Sequence, residues 1–274
     1  MLTAIAASLG ATLPGPAVTA SPTAPSFAGI WVKTGGPAWQ ARSGLTSGQY
    51  QALFNQLVAQ GYRPTDVNGY NFNGEARYAA IFEQSAGPAW QSRHGMTAAQ
   101  YQATFDQLTN QGYRLTNVSG YEVNGQDYYA AIWQKVAGPA WQAHHGMTAM
   151  QFQITFNLLV SQGYRLTDIS GYSVNGQARY AAIFEQSPGP AWRARHGMTV
   201  AQFQTTFDQY ANLGYRLVRV SGYHVNGQDR FAGIWQKVDG PAWQARHLPN
   251  SSQFQVVFDQ LTSQGYRLVD MSGY

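Results

Sequence analysis

One interval governs this chain. The motif Gly-Pro-Ala-Trp recurs with its tryptophan at Trp39, Trp90, Trp141, Trp192 and Trp243, always 51 residues apart. A fixed period of that length marks a repeat architecture, in which a supersecondary unit too small to bury a core alone is copied along the chain. The units start near residues 36, 87, 138, 189 and 240.

Local signals inside each unit agree with one another. Thr46, Thr97, Thr148, Thr199 and Asn250 are each followed three residues later by a glutamine, the capping-box pattern of a helix start. Tyr101, Phe105 and Leu108, with their counterparts, then give one apolar helical face. Gly61, Gly112, Gly163, Gly214 and Gly265 stand where a left-handed cap ends the helix. An extended run such as residues 113–121 follows, then Asn124-Gly125, then residues 128–134. Asn-Gly between two β-rich runs predicts a type I′ hairpin, and it recurs as Asn73-Gly74, Asn175-Gly176 and Asn226-Gly227. Gly120 in Ser-Gly-Tyr, with its equivalents, predicts a bulge in the first strand of the hairpin. Each unit therefore reads as loop, helix, β-hairpin.

The two ends of the chain extend this reading. Phe27-Ala28-Gly29-Ile30-Trp31 is identical to Phe231-Ala232-Gly233-Ile234-Trp235, four periods later. The chain thus opens on the second strand of a hairpin and stops at Tyr274, the end of a first strand. Pairing these strands would complete the last unit and remove a bare sheet edge. The expected fold is an α+β repeat protein: a closed, pseudo-fivefold, propeller-like ring of five helix-plus-hairpin units over residues 27–274. The Ala-Ala or Ala-Gly pair of each second strand is expected to sit near the crowded axis. Residues 1–26, rich in Ala, Pro, Ser and Thr, read either as a signal-peptide-like segment or as a Pro/Ala linker. Their apolar run is too short and interrupted for a membrane span.

Composition narrows the partners. Apolar residues make up 44% of the chain, enough for a sizeable core, while charged residues make up only 11% against a usual share of about 25%. The net charge of +4 is spread along the repeats with no basic run, which argues against nucleic-acid binding. There is no cysteine, so disulfide and thiol chemistry are excluded.

The recurring pattern GPAW…HGMT…Gln…Phe…GYRL…SGY…Tyr-Ala-Ala-Ile-Trp resembles the bacterial tandem-repeat family that also occurs beside β-lactamase-like serine hydrolase domains, as in polyglycine hydrolases. The resemblance covers residues 27–274. It implies an extracellular accessory or binding module and brings no catalytic residues with it.

Chemistry-bearing motifs are few. Lys33-Thr34-Gly35 spells a β-lactamase signature, but its Ser-x-x-Lys companion is missing. No nucleophile is paired with a base, and there is no phosphate loop, so no catalytic residue and no cofactor is expected. His94, His145, His196 and His247 share one repeat position. A wide ring would hold them too far apart for ligation at about 2.0–2.2 Å, so no metal is expected. Arg63, Arg114, Arg165, Arg216 and Arg267 recur on the first strand and read as structural partners of the Asp or Asn three residues on, within a unit or across neighbours.

The GPAW tryptophans have two open readings, core pillars or ligand platforms. The stretch that follows them mixes aromatic and hydrogen-bonding groups before a helix N-terminus, as shallow polar-ligand sites do. The candidate ligand-binding residues are Trp90, Arg93, His94, Trp141, His145, Trp192, Arg195, His196, Trp243, Arg246 and His247. Three near-equivalent sites are expected in units two to four. The expected function is a secreted, non-catalytic, multivalent carbohydrate-binding module for a glycan or cell-surface polysaccharide. The alternative is a protein-binding scaffold or accessory substrate-recognition ring.

Overall fold

A computed structural model describes residues 24–274. The signal-peptide or linker reading falls mainly on residues 1–23, which lie outside the described residues. Strand β1 (Phe27–Val32) comes first, followed by unit one with β2 (Trp39–Leu45), α1 (Ser47–Ala59), β3 (Arg63–Phe72) and β4 (Glu75–Glu83). Unit two holds β5 (Trp90–Thr97), α2 (Ala98–Asn110), β6 (Arg114–Val123) and β7 (Gln126–Gln134). Unit three holds β8 (Trp141–Thr148), α3 (Ala149–Ser161), β9 (Arg165–Val174) and β10 (Gln177–Glu185). Unit four holds β11 (Trp192–Met198), α4 (Val200–Asn212), β12 (Arg216–Val225) and β13 (Gln228–Gln236). Unit five ends the chain with β14 (Trp243–Leu248), α5 (Ser251–Ser263) and β15 (Arg267–Gly273). No helix among the described residues is long and apolar enough to cross a membrane.

The helices form where the local code places them. Thr46, Thr97, Thr148 and Thr199 make full capping boxes with the glutamine at N3, and Asn250 makes the half that its own side chain supplies. Each helix stops at a glycine with φ between 80° and 84°. The next tyrosine's amide then bonds back to the carbonyl of a buried helix residue, as Tyr62 does to Leu57 at 2.9 Å. The four hairpins turn at Asn73, Asn124, Asn175 and Asn226, whose φ values of 50–54° meet the demand of a type I′ turn.

Each unit contains one strand more than the sequence predicts. The segment expected to be a loop before the helix is itself a strand, and it pairs with the hairpin's second strand. The result is a three-stranded antiparallel sheet in the order β2-β4-β3, repeated as β5-β7-β6, β8-β10-β9 and β11-β13-β12. Its sequence, Trp-Gln-Ser-Arg-His in unit two, carries little β signal, and the buried middle strand beside it decides its conformation. In the last sheet, β1 takes the middle place between β14 and β15. Phe27, Ile30 and Trp31 of that strand are all buried.

Bulges also lie elsewhere than expected. Gly120 pairs regularly with Tyr129, and the register of β6 shifts instead between Leu115 and Asn117. A second shift falls at His94-Gly95, between Arg93 and Met96, where Gly95 has φ 66°. In unit five, Leu248-Pro249 replaces that glycine motif and β14 runs along β1 without a shift. What Gly120 provides is room: a side chain there would collide with the ring of Tyr172 from the next unit.

Neighbouring units meet along the first strands. β3 contacts β6, β6 contacts β9, β9 contacts β12, β12 contacts β15, and β15 contacts β3. The Ala-Ala pairs, fully buried in the middle strands, admit the adjacent unit, while the first strands face one another.

Candidate functional site: a groove between units three and four

First-strand edges facing a neighbour would leave amides unpaired, and the following unit supplies the acceptors. Val118 N donates to Asp168 Oδ2 at 2.9 Å, Val220 N to Asp270 Oδ2 at 2.7 Å, Met271 N to Asp66 Oδ2 at 3.0 Å and Val67 N to Asn117 Oδ1 at 3.1 Å. Serines repeat the device: Gly69 N donates to Ser119 Oγ and Gly120 N to Ser170 Oγ, both at 3.0 Å. Asp66, Asn117, Asp168, Arg219 and Asp270 occupy one repeat position, and Arg219 is the odd member. Its guanidinium lies 3.4 Å from both Asp168 and Asp270. Burial pushes the Asp66 carboxyl up to about 6, opposed by Arg219 and reinforced by Asp168. Burial likewise raises Asp168 and Asp270. These groups are occupied with backbone amides and with one another, so their work is structural. The sequence marked them only as partners of the first-strand arginines; their hold on the neighbouring unit's amides lies outside any one repeat. The available signal was the recurrence of a polar residue at all five equivalent positions of the first strand. Asn117 opens an Asn-Val-Ser sequon but is itself buried, so that sequon is not on the surface.

The first-strand arginines do not pair with the Asp or Asn three residues on, contrary to that expectation. They reach to the GPAW turn of another unit. Arg114 donates to the carbonyl of Pro139, Arg165 to that of Pro190 and Arg267 to that of Pro37. Their guanidinium groups lie 5.6–6.0 Å from the rings of Trp141, Trp192 and Trp39, and Arg216 does the same at Trp243. Glu185 and Glu83 complete ion pairs with Arg114 and Arg267 at 3.1 and 2.9 Å.

This arrangement engages the predicted aromatic platforms. Trp90, Trp141, Trp192 and Trp243 are half-buried, with rings 5.5–5.8 Å from Phe54, Phe105, Phe156 and Phe207 of the preceding helix. The histidines are wedges of the same junctions. His94 stands edge-on to Tyr50 and Tyr78, His145 to Tyr101 and Tyr129, and His196 to Phe152 and Tyr180. His247 stands on Phe231. Burial lowers the affinity of all four for a proton, so they are neutral near pH 7. No group of three or more His, Cys, Asp or Glu among the described residues could hold a metal ion. The Lys33 ammonium lies 5.7 Å from the Tyr266 ring, as Lys135 does from Tyr113. The lysine of the β-lactamase-like triplet is thus one of the repeat's packing residues.

The predicted arginines diverge. Arg93 is exposed and bonds to the carbonyl of Ser92, and Arg246 bonds to Ala245 and Gln244. Arg195 lines a groove of about 840 Å³ between α3 and the β11–α4 segment, together with His196. Gln153 on one wall and Gln202 and Gln209 on the other bring amide groups to it, and Phe152 and Phe156 form part of its floor. Arg193 and Tyr210, neither singled out from sequence, complete it. Both depart from the repeat: the other four units carry glutamine and leucine at these positions. Comparing the units position by position would have found them. A second cavity, of about 380 Å³, lies at the far ends of the first strands among Tyr70, Tyr121, Tyr172, Tyr223 and their neighbouring glycines.

Against known proteins, a family model described as "Polyglycine hydrolase-like, structural repeat" matches residues 36–85, 87–136, 138–187, 189–238 and 240–274.

Proposed function

The chain belongs to the polyglycine hydrolase-like structural repeat family, and we propose that it is an extracellular, non-catalytic binding module whose five units close into a ring and which holds a glycan in the groove between units three and four. Closure is supported by the contact of β15 with β3 and by the place of β1 between β14 and β15. The observation that carries the binding reading is the groove itself. Its volume of about 840 Å³ falls within the range typical of small-ligand sites, roughly 300–1,000 Å³. Amide, hydroxyl and guanidinium groups surround an aromatic floor, the mixture that sugar hydroxyls and ring faces require. The tryptophans and histidines serve the junctions between units, so the reading shifts from several equal sites to one dominant site. Glycan-array screening followed by calorimetric titration tests it. One glycan per chain is expected, with binding weakened by Arg195→Ala and unchanged by Arg93→Ala. Loss on Arg93→Ala, or three sites per chain, would return the ligand to the repeated positions.

A second reading has its own observation. Met150, Ile154 and Leu158 form an exposed apolar stripe on α3 beside the groove, where the other helices carry small or polar residues or, at one position in α5, Val256. Such a stripe favours a protein partner, and a pull-down that depends on Ile154 and ignores glycans would support a scaffold role.

A further inference from the structure

We propose that the groove selects an acidic glycan, one bearing carboxylate groups, and that Arg193, Tyr210 and Arg195 form the recognition fork; this rests on reading the groove as a glycan site. Two departures from the repeat occur together in unit four. Gln40, Gln91, Gln142 and Gln244 stand where Arg193 does, and Leu57, Leu108, Leu159 and Leu261 stand where Tyr210 does. In the folded chain these two unit-specific residues meet. The Arg193 guanidinium lies 5.3 Å from the Tyr210 ring and 5.2 Å from the Tyr215 ring. Aromatic faces attract a cation without neutralising it. The Tyr210 hydroxyl accepts a hydrogen bond from Arg195 Nε at 3.1 Å.

One buried tyrosine therefore orders two arginines that sit two residues apart, on the same face of β11. Because the Nε–H of Arg195 is already committed, its two terminal amino groups are left for a ligand, the geometry that grips a carboxylate with paired hydrogen bonds. Neither arginine belongs to any ion pair among the described residues. Among the described residues, no acidic side chain lines the groove. The charge of the fork is thus both positioned and unspent. His196 adds none, since burial keeps it neutral. It is hydrogen-bonded through Nε2 to Gln153 at 3.1 Å, while its buried Nδ1 has no partner among the described residues. A neutral sugar would use the amides and leave two cations idle. A uronate-type sugar uses both sets.

Polygalacturonate is the probe, with its methyl-esterified form as a neutral polymer of the same backbone and dextran sulfate to separate carboxylate from sulfate. The wild-type chain is expected to bind polygalacturonate with an affinity that falls as salt rises, and to bind the esterified form at least about tenfold more weakly because the ester carries no charge. It is expected to bind dextran sulfate more weakly because its tetrahedral sulfates match the paired amino groups less well than a planar carboxylate does. The double variant Arg193→Gln, Tyr210→Leu restores what the other four units carry and should fold. It is expected to lose about tenfold or more in polygalacturonate affinity. Arg195→Gln provides a second, independent loss, and Arg93→Gln, at the same repeat position in unit two, should lose nothing. Equal binding of acidic and esterified polymer overturns the acidic preference and leaves the groove as a glycan site. Preference for dextran sulfate overturns the carboxylate assignment alone. Binding of poly-L-glutamate but of no glycan overturns both readings in favour of a protein partner, and silence towards every probe overturns both outright.

Discussion

A methyl group built on Gly273 would stand 2.6 Å from Cε1 of Tyr70, although the two residues lie at opposite ends of the repeat array. The same tyrosine-on-glycine contact joins Tyr172 to Gly120 and Tyr274 to Gly222. Each ring presses on a backbone that lacks a side chain, and each glycine amide is held by a side chain of the unit that lends the tyrosine, as Gly273 N is by Asn68 Oδ1 at 2.7 Å. Alanine at any of these glycines must displace a buried ring. We expect Gly120→Ala and Gly273→Ala each to destabilise the fold by about 1–3 kcal/mol in urea titrations. A neutral result at Gly273 with a cost at Gly120 would mean that the last unit does not grip the first.

The Asp66–Asp270 set makes stability depend on pH. Burial holds the folded Asp66 carboxyl near 6, above its ordinary 3.8. A raised carboxyl pKa contributes stability that is fully present below the unfolded value and is lost as pH rises through the folded one. For Asp66 that loss falls between about pH 4 and 7 and is on the order of 3 kcal/mol. The buried histidines act the opposite way, so the total profile mixes the two. Comparing Asp66→Asn with wild type isolates the carboxyl: whatever the offset at pH 4, the melting-temperature gap should move in the variant's favour as pH rises through 6. Arg219→Gln should be most damaging above pH 7, by about 3 kcal/mol for an uncompensated buried charge, and milder at pH 5. A pH-independent gap in both variants would remove these groups from the linkage.

Much of this architecture is legible because it is locally encoded. Thr97 and Gln100 cap a helix, Gly112 ends it, and Asn124-Gly125 turns a hairpin, each through chemistry within a few residues. Residues 90–97 resisted reading because a strand with Gln91, Arg93 and Gly95 gains its conformation only from the buried strand beside it. The partners between first strands resisted for a related reason: Asp168 has its amide partner in Val118, one unit away. Arg195 and His196 were visible as candidates, and Arg193 and Tyr210 were visible as exceptions to the repeat. Their convergence was not, since it depends on α4 folding back over β11.

A missing hydroxyl offers a test of the repeat logic. In unit two, the Tyr129 hydroxyl donates to Asp127 at 2.8 Å and meets the Tyr172 hydroxyl at 2.6 Å. Unit four keeps Asp229 and unit five the corresponding Tyr274, but Phe231 stands at the centre, and the buried Tyr274 hydroxyl has no hydrogen-bond partner among the described residues. Elsewhere a glycine amide also serves this hydroxyl, as Gly44 N serves Tyr70 at 3.0 Å; in unit five that position is Leu248. Phe231→Tyr should therefore stabilise the protein by about 1 kcal/mol, seen as a higher urea midpoint with an unchanged slope. A lower midpoint would show the space closed by His247, which already stacks near Tyr274.

The sharpest consequence concerns β1. Its neighbours β14 and β15 do not touch as a ladder, so without β1 the last sheet has no middle strand. Phe27 and Trp31 are 0% exposed and Ile30 is 1% exposed. Burying each such side chain contributes about 1.5–3 kcal/mol, and the three together rival the whole stability of a typical domain, about 5–15 kcal/mol. A chain that starts at residue 24 should melt with the 274-residue chain. One that starts at Lys33 should lose its cooperative transition or open at unit five. Because the deleted segment is a single strand with its own anchors, a synthetic peptide of residues 24–32 should restore the transition at one equivalent per chain. Its Phe27→Ala version should restore it far less well, since Phe27 packs against both Tyr70 of unit one and Phe254 of unit five. If the chain starting at Lys33 melts like the intact protein and ignores the peptide, β1 is dispensable and the proposed ring loses its closing strand.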